Sequence, residues 1–457
     1  MQYCRFNANL YKLYVFCLPL GRFIELPLND FLNKIFTQFS TLIMLVGMFC
    51  LLLQHNIRTQ KRLQPVVTFY VFMAFYSFLA SVVLLLLFLD PIESPLYSCL
   101  NDIVLYFIVL MSIYYNYFNL TYNVNIKQLF PIFNLQIIIL LIVGYMQWGA
   151  MLGNNLCLSF YSFLSSVFAL RELDWLTVLE RGVTFWGSEP ASASILCFWI
   201  IPYMTTTILY STKLKRSIFI LANLLLCILI LSSNSSSLLI LYVANILLFI
   251  MIALKLKLKK IFYVISCFLG LFIAIFYSLD LNMNSNINNN DSKSFSYVVY
   301  GKVVDRENMS TAMRASTIIN DMKIFYDYPF TGVGNGNQGF FYKKNMPLWV
   351  QSSEEVQNIM YSNTIIANGG GNFFPAYISG FGLIGIIILI IFIWKYHTIY
   401  ESSFLQENVQ LRTIFEIGII VFLFSSWYVV GIKQNETIIF LLSLPFVAQK
   451  KIIHHEY

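Results

Sequence analysis

Runs of seventeen or more mostly apolar residues recur along almost the whole chain, and no other feature limits its fold so strongly, because about 20 such residues cross a bilayer as a helix. They stand at 36–53, 65–89, 101–120, 132–152, 194–211, 217–233, 237–254, 261–279, 375–394 and 413–432, with a shorter run at 437–449. The run at 10–28 is the weakest, since it carries Pro19, Gly21, Arg22 and Glu25 and could re-enter or lie along the interface. The expectation is an all-α polytopic membrane protein of about twelve transmembrane helices, or eleven without the run at 10–28. Of the 457 residues 58% are hydrophobic and 11% charged, with a mean hydropathy of +0.70, a balance that excludes a soluble globular enzyme.

Lys and Arg then orient the spans, because short basic loops resist translocation. Seventeen of the 29 basic residues, among them Arg58, Lys61, Arg62, Lys213, Lys215, Arg216, Lys395, Arg412 and Lys450, fall on one side under this alternation. That side is read as cytoplasmic, and both termini lie there. His55, His397, His454 and His455 fall on it too, which leaves no histidine for chemistry outside. The net charge of +7 sits in short clusters between apolar runs, so it reads as a topology signal and no nucleic-acid partner is expected. The eight cysteines are scattered with no CxxC pair and no metal-ligand spacing, so no metal or cofactor is expected. No cleavable leader is expected, because Lys12, Pro19 and Arg22 interrupt the first apolar stretch.

Three parts follow. Residues 1–279 form a membrane domain of nine spans with an amphipathic outer loop at 153–193. Residues 280–374 form a large outer loop that opens with an Asn-rich linker, and 375–457 carry the last three spans. In the first outer loop Arg171, Glu172 and Arg181 stand among apolar residues at helical spacing, as expected of amphipathic helices on the outer surface. In the second, residues 306–328 read as a helix with Arg314, Ile318, Asp321 and Phe325 on one face, stopped before Pro329. Thr331-Gly332-Val333-Gly334-Asn335-Gly336-Asn337 comes next. Its alternating glycines permit positive φ, and the run either is a tight turn or presents bare N–H groups as an anion-binding concavity. It is neither a P-loop nor a dinucleotide fingerprint, since no Gly-Lys-Ser/Thr follows and no preceding strand is evident. Arg171, Arg181, Arg306 and Arg314 could grip phosphate oxygens in a bidentate fork or contact solvent and headgroups. Glu416, inside a span near its cytoplasmic end, is read as snorkelling to the interface.

Arg314, followed by Tyr328-Pro329-Phe330-Thr331-Gly332-Val333-Gly334-Asn335-Gly336, resembles the arginine and P-x-TGVGxG signature in the outer loop of the bacterial O-antigen polymerase and O-antigen ligase superfamily. The span count, cytoplasmic termini and late outer loop resemble it as well. Asn372 and, nine residues on, Gly382-Leu383-Ile384-Gly385 resemble a ligase motif in which a histidine stands where this chain has Gly371. That departure favours a Wzy-type polymerase over a ligase. The resemblance implies a GT-C-like glycosyltransferase of the bacterial inner membrane with a periplasmic outer loop. It would need neither nucleotide nor metal and would act on undecaprenyl pyrophosphate-linked oligosaccharides among membrane lipids. It also suggests a polysaccharide chain-length regulator as partner. Under it Arg314 and Arg306 would bind the pyrophosphate, while Arg171, Arg181 and Glu172 would hold the second carrier lipid. Gly332, Gly334, Asn335, Gly336 and Asn372 would contact substrate, and Asp321, Glu172 or Glu354 would serve as general base. A flippase or other transporter is the alternative of a different class.

Overall fold

The computed structural model describes residues 2–19, 39–53, 61–87, 95–167, 183, 185, 196–233, 236–254, 309–345, 373–426 and 436–447. These are almost entirely helical, with no strand among them. In chain order the α-helices are α1 (Gln2–Cys17), α2 (Phe39–Leu53), α3 (Gln64–Leu87), α4 (Pro95–Phe118), α5 (Phe130–Met151), α6 (Asn155–Val167) and α7 (Ile200–Tyr210). They continue as α8 (Lys213–Leu231), α9 (Ser236–Ala253), α10 (Met309–Asp327), α11 (Gln338–Asn345), α12 (Phe373–Glu401), α13 (Val409–Ser425) and α14 (Glu436–Ser443). The expected span at 261–279 and the Asn-rich linker lie outside the described residues.

Among the described residues five helical stretches are long and apolar enough to cross a membrane: Lys61–Leu86, Asp102–Asn123, Ile126–Met151, Lys213–Leu231 and Phe373–Glu401. Shorter apolar helices at Phe39–Leu53, Leu238–Ala253 and Glu436–Phe446 add to them, an architecture consistent with a multi-pass membrane protein. Their burial runs opposite to that of a water-soluble bundle. Phe75, Leu86, Phe107, Ile390 and Trp394 point outward, whereas Ser77, Ser81, Asp102, Asn116, Gln136 and Asn245 are buried. Without water, each inward polar group must find a partner inside the protein. Tyr11 Oη donates to Asn116 Oδ1 at 3.1 Å, and Asn245 Nδ2 donates to the Cys197 carbonyl at 3.0 Å. Gln136 Nε2 donates to the Val15 carbonyl at 2.6 Å, which satisfies an end of α1. The weak first run is therefore part of the bundle over α1, with Tyr11 and Tyr14 fully buried.

Several expected boundaries move for local reasons. The run at 194–211 becomes helical only at Ile200, with Pro202 in its first turn. The last run is a helix only to Ser443, where Pro445 turns it into a tighter 3₁₀ turn. Of the expected outer amphipathic region, α6 is the helix among the described residues. Gly153, at φ +81°, turns it back onto α5, where Tyr161 is buried and Leu156 and Phe163 are exposed. Glu416 does not simply reach the interface: Tyr400 Oη donates to it at 2.7 Å, and Arg412 Nε lies 3.8 Å away.

Two helices fix the molecule's ends. At the start of α3, Arg62 Nη2 donates to the carbonyls of Ile399 at 3.2 Å and Ser402 at 3.0 Å, at the finish of α12. The two helices thus run antiparallel, and about 22 Å along α3 by the helical rise over fifteen residues, Tyr76 packs on Phe381 of α12. There the outer-loop segment docks.

Candidate functional site

Helix α10 ends at Asp327, next to the predicted stop before Pro329. Its buried stripe is Thr317, Asn320, Asp321 and Ile324, so the face is turned by about one residue from the predicted one, and Ile318 and Phe325 are only half-buried. Packing on α11 and α12 causes this, because both meet α10 on the Asp321 side. Asp321 is fully buried. Its Oδ1 accepts from Tyr342 Oη of α11 at 3.0 Å and from Ser379 Oγ of α12 at 2.8 Å, while Oδ2 has no hydrogen-bond partner among the described residues. Burial raises the Asp321 carboxyl to about 7, against which the two hydroxyls pull only part of the way back.

The glycine run after α10 is clasped to a break in α12. Gly382 leaves helical geometry there, at φ 57° and ψ −156°. The break opens two helical bonds, from 383 to 379 and from 384 to 380, and the loop replaces each end of both. Leu383 N donates to the Pro329 carbonyl at 2.8 Å and Ile384 N to Phe330 at 3.2 Å. In return Val333 N donates to the Ser379 carbonyl at 3.1 Å and Gly334 N to Gly380 at 2.7 Å. Irregular backbone deep in an apolar bundle is tolerable when it is satisfied in this way. Glycine is required for the approach: a Cβ on Gly332, at φ +62°, would sit 2.5 Å from the Gly380 carbonyl carbon.

Of the two alternatives for the run, this geometry favours the tight turn over bare amides. Besides Val333 and Gly334, Gly332 N donates to Tyr328 at 2.9 Å, Asn335 N to Ser77 Oγ at 3.3 Å, Gly336 N to Gln338 Oε1 at 2.9 Å and Asn337 N to Gly334 at 3.3 Å. Each N–H from Gly332 to Asn337 thus has a protein acceptor, and the run is a docking turn in the form described. Asn335, expected to reach substrate, turns inward. Its Nδ2 donates to Asp102 Oδ2 at 2.9 Å and to Tyr106 Oη, both on α4. Asn337 Nδ2 donates to Ser81 Oγ at 3.1 Å, and Tyr76 Oη donates to the Thr331 carbonyl, which completes the seat on α3.

The structure therefore brings together Asp321, Gly332, Gly334, Asn335 and Gly336 around Ser379–Gly382. Arg314 stands in α10 seven residues before Asp321, and its side chain lies outside the described residues. Arg306, Arg171, Glu172, Arg181, Glu354 and Asn372 lie outside the described residues. Sequence reasoning missed Tyr342, Ser379, Ser77, Ser81 and Asp102. Only Asp102 carried a signal, an acid at the second residue of an expected span. Among the described residues no group of three His, Cys, Asp or Glu side chains could hold a metal. The arrangement offers a buried carboxyl with one oxygen that has no hydrogen-bond partner among the described residues.

A family model described as O-antigen ligase matches residues 220–390. This supports the O-antigen ligase and polymerase superfamily. The matched segment contains α10, the glycine run and the break in α12, which are the parts that build the site. No curated protein matches the chain.

Proposed function

We propose that this chain is a membrane glycosyltransferase that polymerises lipid-linked oligosaccharide repeat units. The growing glycan passes from undecaprenyl pyrophosphate to the non-reducing end of a new carrier-linked unit, for O-antigen or a related surface polysaccharide. The observation that carries this reading is the coincidence of the matched segment with Asp321, a buried carboxyl whose free oxygen lies where α10, α11 and α12 meet. In the reaction Asp321 takes the proton of the acceptor hydroxyl, that oxygen bonds to the anomeric carbon, and the bond from that carbon to the pyrophosphate oxygen breaks. The departing pyrophosphate gains charge, which Arg314 and Arg306 receive through charge-assisted hydrogen bonds. Arg171, Arg181 and Glu172 hold the second carrier lipid, and Asn372 contacts the glycan. The glycine run sets the angle of α12 and so places Ser379 on Asp321.

Polymerase is preferred to ligase because Gly371 stands where the ligase motif has its histidine, so the base must come from elsewhere. The reading extends to about twelve spans in a GT-C-like arrangement in the bacterial inner membrane, with cytoplasmic termini, a periplasmic site and a chain-length regulator as partner. The test is incubation of the purified protein with a lipid-linked repeat unit, without nucleotide, followed by a ladder gel. A ladder is expected. Transfer only to a lipid A core acceptor would make it a ligase, and no transfer with movement of the lipid across a vesicle would make it a carrier.

A further inference from the structure

Asp102 is a carboxyl seven residues into α4, fully buried at the first residue of a stretch long and apolar enough to cross a membrane. Burying a carboxyl is costly, and a neutral side chain could accept an amide hydrogen bond at lower cost, so packing alone does not explain it. Its Oδ2 accepts the Nδ2 hydrogen of Asn335 at 2.9 Å.

The rest of Asn335 is held as firmly. Tyr106 Oη shares Nδ2, Gln338 Nε2 approaches Oδ1 at 3.4 Å, and the backbone N–H rests on Ser77. Gln338 Nε2 also donates to the Ala376 carbonyl at 2.8 Å, so the same cluster grips α12 just before its break. One and two residues before Asn335, Gly334 and Val333 hold the Gly380 and Ser379 carbonyls, and the Ser379 hydroxyl holds Asp321. A continuous set of contacts thus joins a carboxyl in the membrane bundle to the carboxyl of the site.

We propose that Asp102 is a positioning residue for the transfer reaction, acting through Asn335 and the glycine run to set Ser379 against Asp321. The inference rests on the glycosyl-transfer reading above. Asp102 does not touch substrate, so its loss changes the rate of the bound complex and leaves binding of the lipid-linked unit alone.

The experiment compares wild type, Asp102→Asn, Asn335→Asp and the double exchange, each purified as the full chain and checked for monodispersity and thermal unfolding. In Asp102→Asn, kcat falls by about tenfold or more with KM for the lipid-linked unit unchanged, since small misplacements cost that much. Asn335→Asp sets two carboxyls together and loses at least as much. The double exchange reverses donor and acceptor across the same gap and returns kcat to within about threefold of wild type, because the pair's coupling is restored. A rise in KM with kcat unchanged overturns the proposal, as does a folded double exchange no more active than Asn335→Asp. If Asp102→Asn does not accumulate, the double exchange is read directly against wild type by the same criterion. Wild-type protein that forms no ladder overturns the glycosyl-transfer reading, whereas a wild-type ladder with an unaffected Asp102→Asn overturns this inference alone.

Discussion

Asp321 is subject to opposing forces. Burial disfavours its charge and raises it to about 7, while Tyr342 and Ser379 donate to one oxygen and favour the charge. A base with that value is half ionised near neutrality, where proton transfer is most effective. The transfer rate should therefore rise with pH through about 7 in wild type, instead of being level above the ordinary carboxylate range. Asp321→Asn should lose roughly 10²- to 10⁴-fold at every pH, the usual worth of a positioned base. A rate level from pH 5 to 9, or an active Asn variant, would remove Asp321 from the chemistry. Stability should move the other way. The folded value lies above the unfolded one of about 3.8, so the stabilising share of this group is fully present below the unfolded value. It is lost as pH rises through about 7, and Asp321→Asn should abolish that slope in thermal unfolding. Part of this was legible in the sequence: the helical period picks out Asp321, and proline marks the stop. Tyr342 and Ser379 were not legible, since one tyrosine or serine among so many says nothing until the packing of α11 and α12 selects it.

Among elements, the pairing of the glycine run with the broken α12 decides the local architecture. The glycines before α10's neighbour and Gly382 read in sequence as two separate motifs, and nothing in their spacing says that they hydrogen-bond to each other. Apolar periodicity likewise finds α12 as a single span, because Gly382 interrupts the backbone without interrupting hydropathy. The consequence is testable by three alanines. Gly332→Ala and Gly382→Ala each combine positive φ with a Cβ about 2.5–2.6 Å from facing backbone, and each should cost about 1–3 kcal/mol or more. Gly153→Ala shares the positive φ, at +81°, but its Cβ would meet nothing within 4 Å, so it isolates the conformational cost. Thermal unfolding of the purified protein should rank Gly332 and Gly382 well below Gly153. Equal shifts for all three would mean that the clasp contributes nothing beyond ordinary turn strain.

Across the whole molecule, antiparallel α3 and α12 define a basic end and a site end. Lys61 and Arg62 stand at the first, with Arg62 capping α12 at Ile399 and Ser402. The glycine run stands toward the second, about 22 Å along α3 by helical rise, with Tyr326 exposed beside it. Short basic segments are retained on the cytoplasmic side, so the basic end should be inside and the site should open outward, where carrier-linked glycans are joined under the proposed reaction. Single cysteines in a cysteine-free chain test this through a thiol reagent that cannot cross the membrane. In intact cells Tyr326→Cys should label, whereas Lys61→Cys and Ser402→Cys should label only after permeabilisation. The reverse pattern would put Asp321 and the clasp on the cytoplasmic side. A polymerase fed by units already carried across the membrane could not work there, and an enzyme acting before export would have to replace it.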